Sequence, residues 1–89
     1  DLSPAALEVA KINVERFGLE DTVQLIQSDV FSNLKNKQYD IILSNPPYVS
    51  KAEYESLPAE YSHEPKMALE SGNEGLDVVR AILAKAEDY

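Results

Sequence analysis

Residues 39–48 read Tyr39-Asp40-Ile41-Ile42-Leu43-Ser44-Asn45-Pro46-Pro47-Tyr48. In the first half, apolar side chains follow one another almost without a break. Such a run predicts a strand over 39–43 covered on both faces, as in a parallel sheet. The second half ends it. Pro46 and Pro47 have no backbone N–H and cannot continue a strand ladder, and Asn45 is an ordinary turn residue. In open α/β sheets, ligands bind beyond the carboxyl ends of strands. Asn45 and its neighbours therefore stand where a function is expected, although the same residues also serve as a plain strand terminator.

Upstream, Thr22-Val23-Gln24-Leu25-Ile26-Gln27 alternates polar and apolar positions and predicts a second strand, with Ser28-Asp29 at its exit. Before it, Ser3-Pro4 marks a helix start: Ser can accept a free N–H, and Pro has none to leave unpaired. Leu7, Ala10, Val14 and Phe17 repeat at helical spacing, which predicts a helix over 4–17 with Gly18 as its left-handed stop. Residues 31–37 form a short turn or a single helical turn. Downstream, 45–74 is a long connection of weak periodicity. Within it Ser50 and Glu53 have capping-box spacing, predicting a short helix that runs to Leu57 before Pro58 ends it. Leu76, Val79, Ile82, Leu83 and Ala86 predict a second long helix from about 74, capped near Asn73. The order helix, strand, strand, long loop, helix suggests an α/β fold.

The chemistry of residues 45–48 follows from what the prolines withhold. With two donors removed, acceptors remain: the Asn45 side-chain oxygen and the Pro46 carbonyl. Tyr48 adds a flat apolar wall with a polar tip. Two acceptors with no competing donor suit an –NH2 group, each taking one hydrogen. An amide or aryl amine is a poor nucleophile because its lone pair is delocalised. Acceptors on both hydrogens stabilise the positive charge that develops as it attacks. Orientation toward an electrophilic carbon can contribute about 7–11 kcal/mol more. The segment reads as a site that alkylates an amine nitrogen without a general base. His63, the one histidine, has no second ligand at suitable spacing, so no metal site is expected.

The formal net charge of −8 disfavours a polyanion partner, because nucleic-acid binders present basic surface. The Lys and Arg residues are scattered, with only Lys35 and Lys37 close together. No direct nucleic-acid binding is expected of these residues, and the charge also serves plain solubility. No apolar run approaches the roughly 20 residues of a spanning helix, and no leader pattern is visible. No membrane association and a cytoplasmic location are expected. Cysteine is absent, which removes disulfides and thiolate ligands. The 89 residues suit one small domain. A start at a helix cap without methionine predicts a piece of a longer protein.

Asp40-Ile41-Ile42-Leu43-Ser44-Asn45-Pro46-Pro47-Tyr48 resembles the catalytic segment of S-adenosylmethionine-dependent methyltransferases that act on exocyclic or amide nitrogen. Adenine-amino DNA methyltransferases share this short motif. His63-Glu64-Pro65-Lys66-Met67-Ala68-Leu69-Glu70-Ser71-Gly72-Asn73-Glu74-Gly75-Leu76-Asp77 is more discriminating. It resembles the downstream signature of the protein-glutamine amide methyltransferases, which modify a Gly-Gly-Gln loop in release factors or a glutamine in a large-subunit ribosomal protein. Asp1-Leu2-Ser3-Pro4-Ala5-Ala6-Leu7 and Gln27-Ser28-Asp29-Val30-Phe31 also look like that family. The release-factor branch has Phe where His63 stands, which favours the ribosomal branch.

The resemblance implies a Rossmann-like class I methyltransferase domain. Residues 1–89 would be its central strands and helices, a partial catalytic domain lacking the glycine-rich cofactor turn and the first and last strands. It implies S-adenosylmethionine as cofactor, and as partner a protein substrate, either a ribosomal large-subunit protein or a peptide-chain release factor. By position, Asp1 would bond the cofactor ribose, and Asp29 with Val30 would lie beside the adenine. Asn45 and the Pro46 carbonyl would hold the glutamine amide, with Asn45 also bordering the cofactor. Pro47 and Tyr48 would complete the substrate site. Asp1 equally fits a helix-start residue, and Asp29 a turn acid. Glu64-Pro65 is expected to brace its loop, and Tyr54 and Tyr61 to pack.

Two other readings stand beside this one. An adenine-amino methyltransferase acting on nucleic acid requires base flipping and basic flanks. A non-catalytic binding module requires only that the motif be coincidental. The 89-residue chain by itself is expected to transfer no methyl group, to bind cofactor weakly, and to self-associate through exposed strand edges.

Overall fold

The computed structural model describes residues 1–34 and 37–89. The chain divides into two units, Asp1–Lys37 and Gln38–Tyr89.

In the first unit, Ser3 starts helix α1, Pro4–Arg16. Its Oγ accepts the Ala6 N–H at 3.2 Å, and Pro4 occupies the first turn. Phe17 caps the C-terminus, and Gly18 follows at φ +63°. The Gly18 N–H donates to the Glu15 carbonyl and that of Leu19 to Val14, so the last carbonyls are satisfied as a glycine stop requires. Leu7, Ala10 and Val14 are half-buried, as the apolar face predicts. Phe17 departs from it and is 69% exposed, because the cap residue has already left the helical path.

The strand expected over 22–27 is not formed. Thr22 belongs to a turn, its N–H bonded to the Leu19 carbonyl, and residues 23–28 have no regular secondary structure. A ladder needs a neighbour along its length, and among the described residues only Asp1 supplies one. The Asp1 amino group donates to the Ile26 carbonyl at 3.0 Å, and the Ser28 N–H donates to the Asp1 carbonyl at 2.9 Å. One residue bonding to both sides of Gln27 is the pattern of parallel pairing, held to a single step. Phe31 is the one buried apolar side chain among the described residues. Lys35 and Asn36, near the end of the expected turn at 31–37, lie outside the described residues.

In the second unit, the strand expected over 39–43 is also not formed. The Tyr39 N–H bonds to the Tyr89 carbonyl. Beyond that point Ile41 is 75% and Leu43 91% exposed. The face that bears Ile41 and Leu43 is therefore uncovered, contrary to the two-sided cover the composition implied, whereas Ile42, 39% exposed, lines a pocket with Ala86, Glu87 and Tyr89.

Local signals fare better. Ser50 and Glu53 form a reciprocal capping box at the start of helix α2, Lys51–Glu55, which ends at Ser56, just short of Leu57. The long connection then contains two elements its weak periodicity hid: a 3-10 turn, Ala59–His63, and helix α3, Lys66–Leu69. Pro58 and Pro65 stand immediately before them at φ −56° and −59°. Each proline lies just outside its turn in extended backbone, and its carbonyl accepts the first bond of the turn, from the Tyr61 and Ala68 N–H groups respectively.

Helix α4, Asp77–Leu83, begins later than expected and is not capped by Asn73. Ser71 does that work from further upstream: its Oγ accepts the Val78 N–H at 2.9 Å. A 3-10 turn, Ala86–Asp88, follows. No helix among the described residues is long and apolar enough to cross a membrane.

Candidate functional site

The expected site residues fall in both units. Asp1, Asp29 and Val30 belong to the first, and residues 45–48 to the second.

In the first unit, the Asp1 carboxylate accepts the Ser3 N–H through Oδ1 at 2.7 Å, so it does act as a helix-start residue. Its backbone pairing to Ile26 and Ser28 sets it opposite Gln27, two residues before Asp29. The loop from Ser28 to Asn33 is tightly bonded within itself. The buried Ser28 hydroxyl donates to the Val30 carbonyl at 2.9 Å and accepts the Asn33 N–H at 3.0 Å. The Asp29 N–H donates to Ser32 Oγ at 3.2 Å, and Asn33 Nδ2 to the Gln27 carbonyl at 2.7 Å. Val30 sits at φ +49°, a left-handed conformation that a β-branched side chain seldom adopts. Such strain persists only where the surroundings impose it, and here the Ser28 hydroxyl grips the Val30 carbonyl. The Asp29 side chain is exposed.

In the second unit, Asn45 is exposed, Pro46 and Pro47 are half-buried, and Tyr48 is 71% exposed. What holds this lip is the segment that follows α3. The Val49 N–H donates to the Leu69 carbonyl, and the Ser71 N–H to the Val49 carbonyl, both at 2.9 Å. Together they make a parallel bridge between Val49 and Glu70. The Lys51 N–H donates to the Gly72 carbonyl at 3.0 Å. The residues that directly follow the stretch 40–48 are thus joined by backbone to the stretch 63–77. Gly72 and Gly75 lie at φ +72° and +73°. Gly75 comes so near Tyr48 that a Cβ there would meet the Tyr48 carbonyl oxygen at 2.3 Å. Sequence reasoning gave neither Ser71 nor Gly75 a role; the available signal was a pair of glycines among polar residues, a sign of left-handed backbone.

Lys66 lies over the Tyr54 ring, its Nζ 5.3 Å from the centroid, and pairs with Glu70 at 2.7 Å. The hydrogen bond and charge of Glu70 hold the Lys66 ammonium above the ordinary lysine range. His63 ends the 3-10 turn, and Pro65 opens α3. No cluster of acidic and histidine side chains able to hold a metal ion occurs among the described residues.

The methyltransferase small domain family matches residues 1–87. The chain belongs to that family. Relatives of this family member include the ribosomal protein uL3 glutamine methyltransferases of Neisseria meningitidis serogroup B (strain ATCC BAA-335 / MC58), 53% identical, and Bordetella pertussis (strain Tohama I / ATCC BAA-589 / NCTC 13251), 49% identical. That of Francisella tularensis subsp. tularensis (strain SCHU S4 / Schu 4) is 46% identical. Each match covers all 89 residues of the chain but only 29%, 30% and 28% of the respective relative. The chain thus spans less than a third of the length of these curated relatives. No solved structure matches it.

Proposed function

We propose that this chain is the central part of a Rossmann-like class I methyltransferase domain that methylates the side-chain amide nitrogen of a glutamine in ribosomal protein uL3. The names carried by its relatives support the substrate. A release factor is the competing substrate, and a cytoplasmic enzyme suits either. The observation that carries the reading is the exposed Asn45 on a proline-stiffened lip, tied by the Val49–Glu70 bridge to the second signature segment.

S-adenosylmethionine, when bound, supplies an activated methyl carbon on its sulfonium. The residues of the first unit suit its hydroxyl-rich nucleoside. Asp1 spends one carboxylate oxygen on Ser3 and keeps the other for a ribose hydroxyl. The exposed Asp29 carboxylate and the Val30 side chain are available to the adenine. At the lip, the Asn45 side-chain oxygen and the Pro46 carbonyl each accept one hydrogen of the glutamine –NH2. Pro46 and Pro47 offer no competing N–H. The nitrogen lone pair is turned away from the lip, and charge that develops on nitrogen is stabilised by acceptors already in place. Tyr48 presents an apolar face to the planar amide.

The test uses the full-length enzyme containing this segment, incubated with purified uL3 and with release factor and read by mass spectrometry. Methylation of a uL3 glutamine is expected. Asn45→Ala should abolish turnover while leaving cofactor affinity in place; turnover at the parental rate in that variant would defeat the reading.

A further inference from the structure

We propose that Gly75 is a positioning residue for the acceptor pair at residues 45 and 46: its missing side chain sets where the Tyr48 end of the lip can lie. The proposal rests on the lip reading above. Gly75 is buried at φ +73°, where any side chain is strained. A Cβ there would stand 2.3 Å from the Tyr48 carbonyl oxygen, 3.0 Å from its carbon and 3.1 Å from the Ser50 nitrogen. All are backbone atoms, so none can rotate aside as a side chain would.

The displacement has nowhere to dissipate. On one side, Val49 and Lys51 are pinned to Leu69, Ser71 and Gly72 by backbone hydrogen bonds. On the other, Pro46 and Pro47 have φ locked by their rings, so movement of Tyr48 is carried back to the Pro46 carbonyl and Asn45. A misplacement of about 1 Å at a reacting group can cost roughly 10²-fold in rate. Gly72 makes the contrast: a Cβ there would meet the Asp77 carboxylate, the mobile end of a side chain. Gly18 has a similar positive φ of +63° with nothing within 4 Å, which makes it a control for backbone strain alone.

The experiment measures kcat, KM for the protein substrate, and cofactor Kd in the full-length enzyme. Gly75→Ala is expected to lower kcat by roughly 10²-fold with cofactor Kd unchanged, while Gly18→Ala keeps the parental kcat. Should Gly75→Ala not fold, Lys51→Pro replaces it. Proline suits this first position of α2 and removes the N–H that donates to the Gly72 carbonyl, one of the bonds that pin the lip to the glycine-bearing segment. Its kcat is expected to fall by at least about tenfold, again with cofactor Kd unchanged. Parental kcat in the folded variant overturns the proposal. So does a loss of kcat matched by a loss of cofactor affinity, which marks general destabilisation. Asn45→Ala, run in the same assay, separates the two levels. If it retains turnover, the lip reading falls and the proposal with it; if it loses turnover while Gly75→Ala does not, the proposal alone falls.

Discussion

Replacing Ser28 by Ala tests whether the loop at Asp29 and Val30 is held for a purpose. The Ser28 hydroxyl gives one hydrogen bond to the Val30 carbonyl and takes one from the Asn33 N–H. A net worth of about 1 kcal/mol for each makes the loss about 2 kcal/mol. Val30 adds to it. A left-handed conformation costs a non-glycine residue about 1–2 kcal/mol, so once the Val30 carbonyl is released the loop gains by relaxing. If cofactor binds only the held loop, its apparent Kd rises as the held population falls. The hydrogen bonds alone, about 2 kcal/mol, correspond to a Kd increase of up to about 30-fold, and with the Val30 strain, about 3–4 kcal/mol together, the ceiling rises to several hundred-fold, on the order of 10².

The assay is calorimetric titration of S-adenosylmethionine into the full-length enzyme, with thermal unfolding run alongside. A cycle with Val30→Gly sharpens it. Glycine accepts the left-handed conformation without strain, so Ser28→Ala should cost less cofactor affinity in the glycine background than in the parent. Val30→Gly alone should leave thermal stability unchanged or raised while weakening the cofactor, because on the proposed reading it removes apolar surface offered to the adenine. An unchanged Kd in Ser28→Ala with a lowered unfolding temperature would refute the argument. So would an identical cost in both backgrounds, since two contacting groups that share a function must couple.

Other outcomes follow from the same geometry. The Ser50 hydrogen bonds, from its hydroxyl and its N–H, hold the Glu53 carboxyl below the ordinary glutamate range. A depressed folded-state pKa gives stability that is present above the ordinary value of about 4.3 and lost as pH falls through the depressed one. The protection factors of the α2 amides, with the intrinsic pH dependence of exchange divided out, should therefore fall on acidification through that window, and Glu53→Gln, which keeps the capping box, should flatten the response. The 89-residue chain alone, with Phe31 its one buried apolar side chain among the described residues, should show no sharp urea transition by circular dichroism. It should also bind S-adenosylmethionine too weakly for calorimetry; micromolar affinity would contradict this. Leu43, 91% exposed in a segment without regular secondary structure, should drive self-association of that chain. Leu43→Lys should lower its sedimentation-equilibrium mass, since a charge in an exposed apolar run opposes its burial or pairing against another copy.

What the sequence made legible was local. The Ser3 cap, the Gly18 stop and the Ser50–Glu53 box each depend on residues within a few positions of one another, and each is where its spacing put it. The α4 cap broke the rule because it reaches back seven residues, from Val78 to Ser71, beyond any capping-box template. Pro58 stands after the end of α2, as expected, but it and Pro65 also precede turns that the sequence pattern does not reveal. A proline is read as a terminator when a helix precedes it, yet its carbonyl serves as well to accept the first bond of the next turn.

The two strands failed for a different reason, and it bears on the site. A strand is a property of two segments, and composition speaks for only one of them. Residues 39–43 have the composition of a covered strand, but among the described residues no ladder accompanies them past Tyr39. The lip that follows is nonetheless held, because its support comes from the other side: from residues 69–72, through Val49 and Lys51. Position at residues 45–48 therefore depends less on the apolar run that leads in than on the glycine-bearing segment that lies across it. The segment over 63–77 reads in the sequence as a mark of kinship; Gly75, where a Cβ would stand 2.3 Å from the Tyr48 carbonyl oxygen, gives it a physical task on the proposed reading. The demand at that position is for the absence of an atom, which no tally of donors, acceptors or apolar spacing can register.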